Sequence, residues 1–166
     1  MRYDEANAVQ RLFRSAASTP SLARFFSRVL YRVDRPVIRL SGGRTSVTSV
    51  LTGLPIVELT TTGARTGLPR TMPVVGIPDG DRLVLVASYY GSPRHPAWYH
   101  NLRAHPECTV RLRGEEMTMR AHEAEGEERE RLWQLDLTVY PTRARYAEWT
   151  GGRRIPVMVL EPAAGS

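Results

Sequence analysis

Arginines at 65 and 70 stand in and just after a glycine-bracketed stretch, Thr61-Thr62-Gly63-Ala64-Arg65-Thr66-Gly67, and this is the first place where chemistry is legible in the chain. Glycine accepts backbone angles that turn successive N–H groups into one concavity, and guanidinium forks at Arg65 and Arg70 would add charge-assisted donors. The chemistry is anion binding; the ordinary alternative is a turn that joins two strands and holds nothing. A second group lies at His95-Pro96-Ala97-Trp98-Tyr99-His100-Asn101, where aromatic rings at a helix start either line a planar ligand or fill the core. A third runs from Val139 to Trp149 and carries Tyr140 and Tyr146. Tyrosine keeps its proton at neutral pH, so both hydroxyls offer a hydrogen bond to an oxygen gaining negative charge, as in reduction of a carbonyl, quinone or nitro group. Aromatics packed on a barrel would give the same pattern.

Composition removes other chemistries. All 23 Lys+Arg residues are arginine, so Schiff-base catalysis by lysine and the lysine of a phosphate-binding P-loop are absent from this sequence. The net charge of +6 favours an anionic ligand, an anionic membrane surface or nucleic acid as partner, although arginine-rich codon usage would produce the same bias. No nucleic-acid module is evident, and none is expected to bind. Cys108 is the single cysteine, which excludes an intrachain disulfide and a thiolate cluster and reads as a buried structural thiol. His95, His100 and His105 are five apart, a step that rotates about 140° on a helix, so no metal site is expected. No Gly-x-Ser-x-Gly elbow is present. The first residues lack the apolar stretch of a signal peptide and no run approaches the roughly 20 apolar residues of a membrane span, so a cytoplasmic protein is expected.

These groups need elements to hold them. Leu22, Phe25, Phe26, Val29, Leu30 and Val33 recur at helical spacing with Arg24, Arg28, Arg32 and Arg35 on another face, which predicts an amphipathic helix over residues 20–35. It packs on the domain or lies on an anionic membrane surface, and with the linker-like Ser41 to Ser46 it forms an appendage over residues 1–53. From residue 54 the pattern turns to strands: 56–62, 71–77 and 82–87 are short runs rich in Val, Ile, Leu and Thr, 109–113 and 117–122 bracket a second turn as a hairpin, and 155–160 is a last strand. Pro78-Asp79-Gly80-Asp81 and Gly114-Glu115-Glu116 supply hairpin turns, and helices are expected near 96–104, 125–140 and 146–149. The expected fold is mainly β with added helices, a six-stranded antiparallel barrel over residues 54–162.

The stretches LTTTGARTGLPR (59–70), VASYYG (86–91) and HPAWYHNLRAHP (95–106), followed by TVYP, Tyr146 and RIPVMVLEP, together resemble the deazaflavin-dependent nitroreductase family of split-barrel oxidoreductases. The resemblance spans residues 54–162. It implies a split β-barrel that binds reduced coenzyme F420, an 8-hydroxy-5-deazaflavin with a phosphate and an oligoglutamate tail. It also implies hydride transfer to a small electrophile, a quinone, nitroaromatic or enone. By position, Arg65, Thr66 and Arg70 would hold the phosphate region. Met72, Pro73, Ala87, Ser88, Ala97, Trp98, Tyr99 and Asn101 would line the ring, and Ala64, Val86, Tyr89 and His100 would also belong to the cofactor site. Ser88, Tyr140 and Tyr146 would be catalytic, polarising and orienting the acceptor oxygen. The chain departs from the family's usual pattern at Ala64, Met72, Tyr89 and Arg143. An FMN-binding split-barrel oxidoreductase is the alternative enzyme, and a basic membrane or nucleic-acid binding module the non-enzymatic one. A quinone acceptor would suit a protein peripheral to the inner face of a membrane.

Overall fold

The computed structural model describes residue 37, residues 53–112 and residues 114–163. The helix expected over residues 20–35 and the linker after it lie outside the described residues. Strands β1 (Ile56–Thr62), β2 (Pro69–Val75), β3 (Ile77–Asp79) and β4 (Arg82–Val86) come first, then a 3₁₀ turn at Tyr89–Gly91 and helix α1 (Ala97–Ala104). Strands β5 (Glu107–Leu112) and β6 (Glu115–Glu123), helices α2 (Gly126–Val139) and α3 (Arg143–Trp149), and strand β7 (Val157–Pro162) follow. All seven strands form one sheet in the order β2-β1-β5-β6-β7-β4-β3, and each neighbouring pair is antiparallel.

The sheet has seven strands rather than six because the expected strand over 71–77 is two, parted at Gly76. The Gly76 N–H bonds the Pro55 carbonyl at 2.9 Å, and a Cβ there would lie 3.0 and 3.1 Å from the Val57 methyls. The backbone therefore passes where no side chain has room, and one ribbon leaves its pairing with β1 to pair with β4 on the far side. Residues 69–79 thus supply both margins of the sheet, which curls it into a split barrel. Pro69, Pro73 and Pro78 all fall on these marginal strands, where a missing ladder donor is tolerated.

Alternation along β4 and β7 sorts the core. Leu83, Leu85, Ala87, Met158 and Leu160 point into the barrel with Val57, Leu59, Val110 and Met119, and Trp98, Tyr99 and Leu102 of α1 cap them. Val84, Val86, Val157 and Val159 face outward, where Leu132 of α2 and Tyr146 of α3 cover them. Each such side chain contributes about 1.5–3 kcal/mol by leaving water. Cys108 is buried in the first cluster, as expected, and burial pushes its thiol up to about 12, so it is inert. On α2, Leu132 and Asp136 are four apart and share the buried face, which places one carboxylate in the interior.

Candidate functional site

Thr62 pairs with Pro69, so residues 63–68 form the loop between β1 and β2. Within it the Gly63 N–H donates to Leu68 O at 2.9 Å and the Gly67 N–H to Gly63 O at 2.8 Å. Helix α1 fixes the loop from beside: Asn101 Oδ1 accepts the Ala64 N–H at 3.0 Å, and Asn101 Nδ2 donates to Thr61 Oγ1 at 2.9 Å. Asn101 is buried, with its amide committed to these two partners. Ala64, Arg65, Thr66 and Arg70 are exposed. Among the described residues neither Arg65 nor Arg70 is ion-paired, whereas Arg82, Arg111 and Arg131 all are. Among the described residues, no acidic side chain compensates the positive charge of the loop at Arg65 or of the adjoining strand at Arg70.

The exit of β4 is held differently. Val86, Ala87 and Ser88 are buried, and then Tyr89 and Tyr90 take φ of 47° and 53°, the left-handed region that side chains with a Cβ rarely adopt. Their rings are exposed, at 50% and 37%. Two arginines pin this turn. Arg143 of α3 donates through Nη1 to Val86 O at 2.8 Å and to Ser88 Oγ at 3.3 Å. Its Nε faces Asp136 Oδ2 at 3.0 Å, an ion pair without hydrogen-bond alignment. Arg153 donates to Ser88 O at 2.9 Å, Ser92 O at 3.1 Å and Ala87 O at 3.3 Å. It also meets His95 Nδ1 at 3.0 Å. A guanidinium only donates, so Nδ1 accepts and His95 is neutral with its proton on Nε2. Burial, then the charge of Arg153, hold its pKa below the usual 6.5. At Gly91, φ is +70° and a Cβ would lie 2.8 Å from Trp149 Cβ, so the turn packs directly on α3.

The tyrosines complete the corner. Tyr146 is buried and its hydroxyl lies 3.0 Å from that of half-buried Tyr140. Burial first, and Tyr140 beside it, raise the Tyr146 pKa, so the hydroxyl stays protonated. The Arg143 guanidinium sits 5.1 Å from the centre of the Tyr140 ring. Through Arg143, then, Ser88, Tyr140 and Tyr146 form one cluster. Trp98 and Tyr99 lie in the barrel core, with the Tyr99 hydroxyl on Glu123 at 2.9 Å, while Ala97 and His100 of the same helix are exposed. Met72 and Pro73 are half-buried on β2. The rings of His95 and His100 are 5.7 Å apart because His95 precedes α1, so helical rotation does not separate them as their spacing implied. No group of three metal-ligating side chains exists among the described residues.

The sequence pattern does not single out Asp136 or Arg153 as site-building residues, includes Thr61 only as part of the glycine-bracketed stretch, and marks Arg143 only as a departure from a pattern. For Asp136 a signal existed in its spacing of four from Leu132; for Arg153 none did, since its partners are carbonyl groups distant in the chain.

Comparison with known proteins places this geometry. Residues 30–162 match the family described as F420H(2)-dependent quinone reductase. Over 108 residues, 64% of this chain and 72% of the relative, the sequence is 36% identical to an F420H(2)-dependent quinone reductase of Mycobacterium tuberculosis (strain ATCC 25618 / H37Rv). Among solved structures, an F420-H2 dependent reductase (FDR-A) superposes with a TM-score of 0.60 at 41% identity, covering 64% of this chain and 94% of that one. A chain described as a domain-swapped dimer superposes with a TM-score of 0.62 at 33% identity, covering 86% of this chain and 100% of that one.

Proposed function

This chain belongs to the F420H(2)-dependent quinone reductase family, and we propose that it reduces a quinone, or a comparable small electrophile such as a nitroaromatic or enone, at the barrel mouth. In this reading the 63–70 segment takes the charged part of coenzyme F420, and the Ser88–Tyr140 corner takes the acceptor.

The residues present fit that cofactor. A Cβ at Gly63 would lie 2.8 Å from Thr66 Oγ1 and 3.1 Å from Leu68 O, so the loop closes tightly only on glycine. Beyond it, Arg65 and Arg70 present guanidinium groups with no ion-pair partner among the described residues, the chemistry that a phosphate and a run of carboxylates require. When bound, the reduced deazaflavin supplies a hydride from carbon, a two-electron donor.

The chain supplies everything else. Arg65 and Arg70 neutralise the tail, and Asn101 keeps their loop in one shape. Ser88 and Tyr140 donate hydrogen bonds to the acceptor oxygen on which negative charge grows. With buried Tyr146 as the donor of the 3.0 Å hydroxyl pair, the Tyr140 proton is left directed outward. A quinone takes up one hydride and one proton to become a hydroquinone, and the proton comes from solvent through Tyr140. The turn at Tyr89 and Tyr90 brings two exposed rings to the same rim, a surface suited to a flat ligand.

The observation that carries the reading is the charge of Arg65 and Arg70, without an ion-pair partner among the described residues, on a loop anchored by Asn101 and on the strand that follows it. Titration with oxidised coenzyme F420, followed by ligand fluorescence, tests it against the Arg65→Glu, Arg70→Glu double variant, with FMN as the competing ligand. Affinity that survives the double reversal, or preference for FMN, overturns the assignment; menadione reduction by reduced coenzyme then tests the acceptor.

The same reading places the enzyme in the cytoplasm. No helix among the described residues is long and apolar enough to cross a membrane. Because quinones dissolve in bilayers, contact with an anionic membrane would rest on residues 20–35. Equal flotation of the full chain and of a form lacking residues 1–46 removes that part.

A further inference from the structure

The buried pair Asp136–Arg143 has a cost and no evident return in stability. Both residues are almost wholly inaccessible, at 0% and 3% exposure. Among the described residues the two Asp136 oxygens accept no hydrogen bond, and Arg143 Nε donates none. Well-packed apolar residues in place of such a pair are commonly neutral or stabilising, so the pair is better explained by what it orients.

What it orients is the turn after β4. One edge of the Arg143 guanidinium lies against Asp136, and Nη1 reaches Val86 O and Ser88 Oγ. The rest of Ser88 is already fixed: its N–H donates to Val86 O at 2.9 Å, and its carbonyl accepts from Gly91 N at 3.1 Å and Arg153 Nη2 at 2.9 Å. Arginine can only donate, so the Ser88 oxygen must act as acceptor toward Arg143. The hydroxyl proton then points elsewhere, and among the described residues no group takes it. The two left-handed tyrosines that follow open the turn outward at this point.

We propose that Arg143, oriented by Asp136, is a positioning residue that fixes the Ser88 hydroxyl as a hydrogen-bond donor toward the bound ligand. This rests on the function proposed above. Only a planar fork can serve Asp136, Val86 and Ser88 together; a lysine ammonium keeps the charge without the fork.

A double-mutant cycle tests it, using Ser88→Ala, Arg143→Met and the combination. The measurements are affinity for oxidised coenzyme F420 by fluorescence titration, and kcat and KM for menadione. Ser88→Ala is expected to lower either coenzyme affinity or kcat/KM for menadione by about tenfold, the size of one hydrogen bond to a ligand. Arg143→Met lowers the same quantity at least as far, and the double variant is no worse than Arg143→Met alone. Arg143→Lys, with Asp136 still opposite a cation, retains the defect, and Asp136→Asn shows a smaller one. These two variants stand in should Arg143→Met fail to fold. Losses that multiply in the double variant, a silent Ser88→Ala, or full rescue by Arg143→Lys each overturn the proposal. If the natural sequence neither binds the deazaflavin nor reduces menadione, the functional reading falls first; if it does both and the losses multiply, this inference alone falls.

Discussion

The Asn101 side chain accepts the Ala64 backbone N–H at 3.0 Å, so a helix 37 positions further along the chain sets the shape of the β1–β2 loop. The other end of the same amide holds Thr61 at 2.9 Å, and the two bonds fix which way round the amide lies. Replacing Asn101 by Ala strands a loop N–H. The expected result is a loss of about 1–3 kcal/mol in urea unfolding and about tenfold weaker coenzyme binding. Asn101→Asp should behave almost as badly, because an ionised carboxylate has no donor for Thr61. Normal binding by either variant would show that the loop holds its shape without α1.

On the proposed reading, charge at Arg65 and Arg70 would make coenzyme affinity depend on ionic strength, since exposed charges are screened over about 10 Å at 0.1 M salt. Titrations between low and moderate salt should give a steep decline for the natural sequence. Arg65→Gln and Arg70→Gln should each flatten it. Parallel slopes for all three proteins would place the anion elsewhere.

Gly91→Ala meets two obstacles together, a left-handed backbone at φ +70° and a contact of 2.8 Å with Trp149 Cβ. The combined cost is about 2–4 kcal/mol, read as a lower melting temperature. A melting curve that does not shift would mean that α3 and the turn separate freely.

Burial pushes the Asp136 carboxyl up to about 6, with the charge of Arg143 pulling it down. Between its ordinary value near 3.8 and about 6, the folded chain keeps a proton that the unfolded chain has released. Stability due to this group is therefore full at the acid end and falls as pH rises through that window. His95, held below its ordinary 6.5, acts with the opposite sign, since the unfolded chain takes up a proton first as pH falls. Urea unfolding of the natural sequence against Asp136→Asn cancels the His95 contribution. The difference should change by at most about 3 kcal/mol between pH 4 and 7 and level off above 7. Curves that stay parallel would mean that Asp136 ionises in the folded protein as readily as in water.

Much of this arrangement was legible in the order of residues, for physical reasons that differ from place to place. Runs of Val, Ile, Leu and Thr marked β1, β4, β5 and β7 because packing on a pleated face favours them, while β6, which reads EEMTMRAHE, was marked only by the turn before it. The break at Gly76 was not legible, since it answers to Pro55 and Val57 across the barrel rather than to its neighbours in sequence. Exposed Arg65 of the first loop and Arg70 at the start of β2 could be named because glycine and proline stand beside them. Asn101 could be named too, but not as the clamp of that loop. The Tyr140–Tyr146 pair was visible as residue type, whereas the burial of Tyr146 depends on the outer face of β4 and β7. Arg153 was invisible: its work is done on main-chain carbonyls, which every residue has.

Strand β7 lies between β6 and β4, so residues 157–162 join a four-stranded piece, β2-β1-β5-β6, to the β4–β3 hairpin. Val86 meets Val157 only after 71 intervening steps along the chain. On the ribosome, hairpins can zip as they emerge, but the halves wait for the final strand to seal them. A polypeptide stalled before residue 157 would carry two unsealed sheet margins and depend on chaperones for its solubility.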